Sequence, residues 1–252
     1  MIFSIHVTGL GGQGVLTLTR LLAGYTQDRG FKTTLFNSKG MAQRGGRVTS
    51  DIRVSDQPEG EFDPRIADGA ADILVGMELG EALNSQAVIH PEGTVLLYGR
   101  RIIPTSVVMD KKGWYPGFDD VRGRFETRAR RVHLVPSVDA GANVYMLGVL
   151  CASLPEAGAF FEVPPEQFTA VLRGALKRDI DENIDAFTRG YEYGQSVTKG
   201  LGLPLFSTVH RRDRFGETGQ NRQPDHQPAA RWRFRGRHVG GQSEIRIPGA
   251  IP

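Results

Sequence analysis

The chain has 252 residues, of which 39% are hydrophobic and 23% are charged, a composition typical of a soluble globular protein. Its formal net charge of +3 is unevenly distributed, because residues from Pro204 onward contain nine arginines and four acidic residues; residues 1–203 are therefore close to neutral and do not favour a nucleic-acid partner. The single cysteine, Cys151, excludes an internal disulfide framework, a four-cysteine zinc site and a self-contained iron–sulfur cluster.

The apolar pattern predicts alternating strands and helices. In chain order, the first predicted elements are a buried strand at 3–7, a helix from Val15 until Gly30, strands at 33–36 and 48–54, and a strand at 73–75. They are followed by a helix at 79–85, strands at 94–98 and 132–135, and helices at 144–154, from 164 onward and at 176–191. This order favours an α/β fold, a three-layer sandwich in which a Rossmann-like, largely parallel sheet has helices on both faces.

Two stretches of the pattern are less regular. In the strand at 48–54, branched apolar residues alternate with Thr49 and Asp51, which predicts one buried and one exposed face. Residues 111–131 are charged and contain glycine, and we expect them to form a surface excursion.

The sequence predicts two parts, a folded domain at 1–200 and a tail at 201–252. The tail is rich in Arg, Gly, Gln and Pro and lacks periodic apolar positions, so we expect it to be disordered. The N-terminal residues lack the basic region and the cleavage site of a signal peptide, and no apolar run reaches the ~20 residues of a membrane span. We therefore expect a cytoplasmic protein with no membrane partner.

A glycine-rich loop lies between the first predicted strand and the first predicted helix. Its residues are Gly9, Gly11, Gly12, Gln13 and Gly14. Such glycines let the backbone approach a diphosphate, whose charge is met by N–H groups of the following helix, although they also serve close strand–helix packing. A NAD site would add a carboxylate ~20 residues further on, but the second strand ends with Asn37, Ser38 and Lys39.

A second loop follows the second predicted strand. Its candidate residues are Gly40, Met41, Gln43, Arg44, Gly45 and Gly46. We expect this loop at the same carboxyl edge of the sheet as the first, which is where ligands bind in open α/β folds. Arg44 and Arg47 would donate to an anionic ligand or to a partner's carboxylates, and a solvated turn explains the same composition equally well.

Together the two loops resemble the γ-type subunit of 2-oxoacid:ferredoxin oxidoreductases, and they are most similar to the β subunit of the indolepyruvate type. Four further segments agree with this family in order, over a resemblance that spans about residues 3–195. They are Ser50–Arg53, Ala71–Glu78, the helix start Gly141–Gly148 that contains Asn143, and the closing helix with Asn183, Ala186, Phe187 and Gly190.

The resemblance implies a subunit that is inactive alone. Members of the family convert a 2-oxoacid and coenzyme A (CoA) to an acyl-CoA and carbon dioxide with thiamine diphosphate and Mg, and pass electrons through 4Fe-4S clusters to ferredoxin. A chain with one cysteine and no Gly-Asp-Gly turn lacks residues for these cofactors, so we expect them on a larger partner subunit. No catalytic residue or metal ligand is assigned to this chain; the two loops and Asn143 are its candidate ligand or interface residues.

The sequence is compatible with several alternatives. The loops are suited either to CoA or to the partner subunit, and the sequence does not choose the 2-oxoacid or the stoichiometry. A second hypothesis is an independent NAD(P)-dependent oxidoreductase, which the missing carboxylate disfavours. A third is a non-enzymatic nucleic-acid binder that works through the basic tail, which the near-neutral body disfavours.

Overall fold

The structure of the chain is a computed structural model, which describes residues 1–40, 45–103 and 115–198. The predicted tail at 201–252 and the loop residues Met41, Gln43 and Arg44 lie outside the described residues.

The described residues form six strands and six helices. The strands are β1 (Ile2–Leu10), β2 (Lys32–Lys39), β3 (Arg47–Ser55), β4 (Ala71–Gly76), β5 (Ile89–Tyr98) and β6 (Arg131–Val135). The helices are α1 (Val15–Asp28), α2 (Leu79–Asn84), α3 (Phe118–Glu126), α4 (Ala142–Ser153), α5 (Pro165–Ala175) and α6 (Ile180–Thr198). In these residues no helix is both long and apolar enough to cross a membrane.

The strands form one sheet in the order β2-β3-β1-β4-β5-β6. Strands β1, β4, β5 and β6 are parallel neighbours, whereas β3 runs antiparallel to both β1 and β2. Helices α1, α4, α5 and α6 pack on one face, and α2 and α3 pack on the other. The predicted three-layer α/β sandwich with a largely parallel sheet is therefore confirmed.

Helix α4 lies in the centre of the larger core layer. Every side chain from Val144 to Ser153 is buried, in agreement with the apolar pattern that predicts a fully enclosed helix. Cys151 is buried in this helix, and its burial raises the pKa of the thiol, so that it remains protonated and unreactive.

The prediction of an exposed face on β3 is wrong. Asp51 is only 7% exposed, because its carboxylate lies 2.6 Å from Nδ1 of His6 on β1 and accepts a hydrogen bond from the Ile66 backbone at 3.0 Å. A polar residue in a central strand is buried here because each carboxylate oxygen has its own partner. The Nε2 atom of His6 is buried without a hydrogen-bond partner among the described residues.

Two further boundaries differ from the sequence-based expectation. Within the predicted surface excursion, residues 118–126 form α3, which buries Val121 and Phe125 against the sheet. The predicted helix at 176–191 begins later, at Ile180, because Leu176 ends α5 and Asp179 adopts a left-handed φ of 51° between the two helices.

Candidate functional site

The carboxyl ends of four parallel strands form one edge of the sheet, which we call the ligand edge. Strands β1, β4, β5 and β6 end here, at Leu10, Gly76, Tyr98 and Val135. The antiparallel pairing of Leu10 with Arg47 places the start of β3 at the same edge. Ligands of open α/β sheets bind outside such an edge.

The two glycine-containing loops meet at the ligand edge. The Gly11 N–H donates to the Gly46 carbonyl at 2.8 Å, and the Gly40 N–H donates to the Arg47 carbonyl at 2.7 Å. A Cβ on Gly11 would lie 3.7 Å from the Gly45 nitrogen, so the two backbones are close neighbours. The predicted placement at a common edge is confirmed for the described residues of the two loops, and their role in ligand binding stays a prediction.

Gln13 fixes the conformation of the first loop. Its Oε1 accepts from the Leu10 N–H at 2.6 Å, and its Nε2 donates to the Met77 carbonyl at 2.8 Å. The side chain thereby links the end of β1 to the chain that leaves β4. Gly9 lies directly beneath it, since a Cβ there would approach Gln13 Oε1 to 2.7 Å. Gln13 and Gly9 therefore stabilise the conformation of the loop through internal contacts.

Two helices begin side by side at this edge. Helix α1 starts after Gly14 (φ 75°) and α4 after Gly141 (φ 66°), and neither helix has a side-chain cap or an acidic residue in its first turn. Asn143 connects the two starts, because a Cβ on Gly14 would lie 2.6 Å from Asn143 Nδ2. The positive ends of two helix dipoles therefore lie close together, and neither first turn contributes an acidic side chain that would neutralise them.

Arg47 adds a positive charge beside the loops, and sequence reasoning left it out of the main candidate set. Its guanidinium lies 3.4 Å from the Glu81 carboxylate and donates to Ser85 Oγ at 3.1 Å, both on or next to α2. Burial raises the pKa of Glu81. The side chain of Arg47 stays 44% exposed and so remains accessible from solvent.

A second pair that sequence reasoning missed is Glu78 with Tyr115. Glu78 is 1% exposed and caps α2 by accepting from the N–H groups of Gly80 at 2.9 Å and Glu81 at 2.7 Å. The Tyr115 hydroxyl donates a hydrogen bond to the same carboxylate. Burial and the adjacent Glu78 charge raise the pKa of Tyr115, which keeps this hydroxyl protonated. A cap before α2 is readable in the sequence, but the tyrosine is 37 residues away and gives no local signal.

The geometry also disfavours the NAD(P) hypothesis. In dinucleotide-binding sheets the second strand presents a ribose-binding carboxylate beside the glycine loop. Here β2 is an edge strand and β3 separates it from β1. Asn37, near the end of β2, uses its Oδ1 to accept from Ser50 Oγ at 2.6 Å. Among the described residues, moreover, no three His, Cys, Asp or Glu side chains are grouped to hold a metal ion.

Comparisons with known proteins identify the family. A family model described as pyruvate ferredoxin/flavodoxin oxidoreductase matches residues 4–193 of the chain. The chain belongs to this family. It is 31% identical over 202 residues to the indolepyruvate oxidoreductase subunit IorB of Archaeoglobus fulgidus, a match that covers 76% of this chain and 94% of that protein. The resemblance to γ-type subunits of 2-oxoacid:ferredoxin oxidoreductases is thereby confirmed.

Solved structures of oxidoreductases of this type share the fold. The γ subunit of a keto/oxoacid ferredoxin oxidoreductase from Geobacter sulfurreducens has a TM-score of 0.52 at 18% identity, over 77% of this chain and 99% of that one. The 2-oxoglutarate:ferredoxin oxidoreductase of Magnetococcus marinus, solved with 2-oxoglutarate, CoA and succinyl-CoA, has a TM-score of 0.51 at 14% identity. This match covers 80% of the present chain but 32% of the Magnetococcus chain, which therefore contains the fold as one part of a longer polypeptide.

Proposed function

We propose that the chain is the small subunit of an indolepyruvate-type 2-oxoacid:ferredoxin oxidoreductase. The overall reaction converts an aryl or related 2-oxoacid and CoA to an acyl-CoA and carbon dioxide, and it reduces two one-electron ferredoxins with release of one proton. The name of the Archaeoglobus relative supports the indolepyruvate type.

The residues of this chain do not fit the redox and thiamine cofactors of such an enzyme. Its single cysteine is buried in α4 with a protonated thiol, whereas a 4Fe-4S cluster needs several thiolates. The sequence also lacks the Gly-Asp-Gly type of turn after which the family's thiamine-binding subunits place their ligands to a magnesium–diphosphate pair. We therefore assign thiamine diphosphate, Mg and the clusters to a larger partner subunit, which would also deliver electrons to ferredoxin.

The convergence of the α1 and α4 N-termini is the observation that supports a CoA site on this chain. CoA contains a diphosphate, and free N–H groups at helix N-termini bind such anions. Gly12 leaves the loop open to a ligand, since nothing lies within 4 Å of a Cβ at this position. The partly exposed side chain of Arg47, which also contacts Glu81, lies beside the second loop. The Magnetococcus oxidoreductase, which shares this fold, binds CoA.

The chain binds and orients CoA and takes no part in the bond-making steps. The glycine loop and the start of α4 hold the diphosphate of CoA, and Gln13 keeps the loop in the required conformation. When the diphosphate is held, the CoA thiol can reach only a limited region, which includes the partner's acyl-forming centre. Part of the orientational entropy of CoA is therefore lost on binding and not in the reacting step.

Hydrogen–deuterium exchange tests this assignment. In the complex of the chain with its partner subunit, addition of CoA should slow amide exchange in peptides that cover 9–17 and 140–146. The peptide at 26–31, at the other end of α1, is the internal control and should not change.

The alternative role of the two loops predicts a different exchange pattern. If the loops only seat the partner subunit, protection at 9–17 appears when the partner is added, and CoA adds nothing further. That second result would contradict the proposed CoA site.

A further inference from the structure

Another arginine lies at the ligand edge, just beyond the end of β5. Arg101 lies three residues after Tyr98, the last residue of β5, and its side chain is exposed. Its guanidinium carbon lies 5.3 Å from the centre of the Tyr115 ring, within the range of a cation–π contact. Among the described residues, none of the ion pairs includes Arg101.

The ring on which Arg101 stacks is itself held in place. Tyr115 is 9% exposed, and its hydroxyl donates to the buried Glu78 carboxylate. Glu78 follows Met77, whose carbonyl accepts from Gln13, so one short segment supports both the glycine loop and the Arg101 platform. The cation–π contact therefore joins the exposed Arg101 side chain to a ring that is itself held in place.

The ends of β1 and β5 lie close enough for one ligand to contact both the glycine loop and Arg101. In the sheet order, β5 is separated from β1 by β4 alone, and adjacent strands are ~5 Å apart, so the carboxyl ends of β1 and β5 are on the order of 10 Å from each other. CoA carries a 3′-phosphate on its ribose in addition to its diphosphate. A phosphate receives stronger, bidentate hydrogen bonds from a guanidinium than from an ammonium.

We propose that Arg101 recognises the 3′-phosphate of CoA and that Tyr115 and Glu78 act as positioning residues for it. This inference rests on the proposed CoA site and adds to it the discrimination between CoA and dephospho-CoA, which lacks the 3′-phosphate. The glycine loop binds the diphosphate, which both compounds contain, whereas Arg101 binds the 3′-phosphate, which only CoA contains.

The test compares KM for CoA and for dephospho-CoA in the assembled two-subunit enzyme. In Arg101→Gln, KM for CoA should rise about tenfold, equivalent to about 1.4 kcal/mol, while KM for dephospho-CoA and kcat stay within twofold of the wild type. Arg101→Lys should recover part of the preference, and Tyr115→Phe should lose part of it. The neighbouring exposed residue supplies the matched control, since Arg100→Gln removes the same charge without a tyrosine platform and should leave the preference intact.

Two results would overturn the inference. The first is an equal rise in KM for both compounds in Arg101→Gln, and the second is an equal loss of preference in Arg100→Gln, which would indicate a general charge effect. Either result leaves the CoA site itself standing if Gly14→Ala still raises KM for CoA. Unchanged KM values in Gly14→Ala would instead remove the proposed function. Equal thermal unfolding midpoints of the Arg100 and Arg101 variants confirm that both fold.

Discussion

Gly148→Ala is expected to destabilise the folded chain by about 3 kcal/mol, the upper range for inserting a methyl group into a packed interior. Helices α4 and α6 cross at glycines, and their backbones are in direct contact there. A Cβ on Gly148 would lie 2.2 Å from the Phe187 carbonyl oxygen, and a Cβ on Gly190 would lie 2.0 Å from that of Tyr145. Because both clashing atoms are backbone atoms, no side-chain rotation relieves them and the helices must separate.

Thermal or denaturant unfolding measures this effect, and Gly24→Ala is the matched control. Gly24 also lies within a helix, α1, but nothing occupies the space within 4 Å of its missing Cβ. Alanine has a higher helix propensity, so the control should gain up to about 1 kcal/mol. For a domain of this size, the 3 kcal/mol loss in Gly148→Ala corresponds to a fall in Tm of roughly 6–12 °C. A Gly148 variant as stable as the control would show that the helix contact is wrong.

Gly14→Ala is expected to raise KM for CoA by roughly 10–100-fold in the assembled enzyme, as a displacement of about 1 Å in a binding group does. Gly14 has a left-handed φ of 75°, and a Cβ there would lie 2.6 Å from Asn143 Nδ2. The methyl group must displace Asn143, the loop or both, at the point where the two helix N-termini converge. Titration of CoA in a dye-linked assay gives KM directly.

Gly30→Ala separates the loss of the site from simple backbone strain. Gly30 follows the other end of α1 with a φ of 82°, and nothing lies within 4 Å of a Cβ at this position. Both variants should therefore share a backbone strain of about 1–2 kcal/mol, to which Gly14→Ala adds the contact with Asn143. Only Gly14→Ala should change KM for CoA, and an equal change in Gly30→Ala would argue that stability, not the site, is responsible.

The part of the site that the sequence predicts is the part governed by local pattern. An apolar run followed by glycines and a helical repeat is sufficient to place β1, the first loop and α1 in order. The second loop comes directly after β2. The rule that ligands bind at the carboxyl edge of the sheet is the reason to expect both loops there, close to each other. The Gly11–Gly46 hydrogen bond confirms that reasoning.

The parts that the sequence does not predict depend on contacts between distant segments. The alternation in β3 indicates a strand but not that it inserts antiparallel between β1 and β2, and this insertion is what buries Asp51 against His6. Likewise, the Glu78–Tyr115 contact joins α2 to a stretch whose charged composition suggests only a surface excursion. Tertiary pairing of buried polar groups overrides the local pattern in both cases.

Reconstitution of the 2-oxoacid-dependent activity tests the central claim most directly. The chain is mixed with the larger thiamine- and cluster-containing subunit from the same source, and reduction of a viologen dye is followed with indolepyruvate and CoA. We predict no dye reduction by either chain alone, and CoA-dependent reduction with formation of the acyl-CoA when both are present. Full activity of this chain alone, or of the partner subunit without it, would contradict the account.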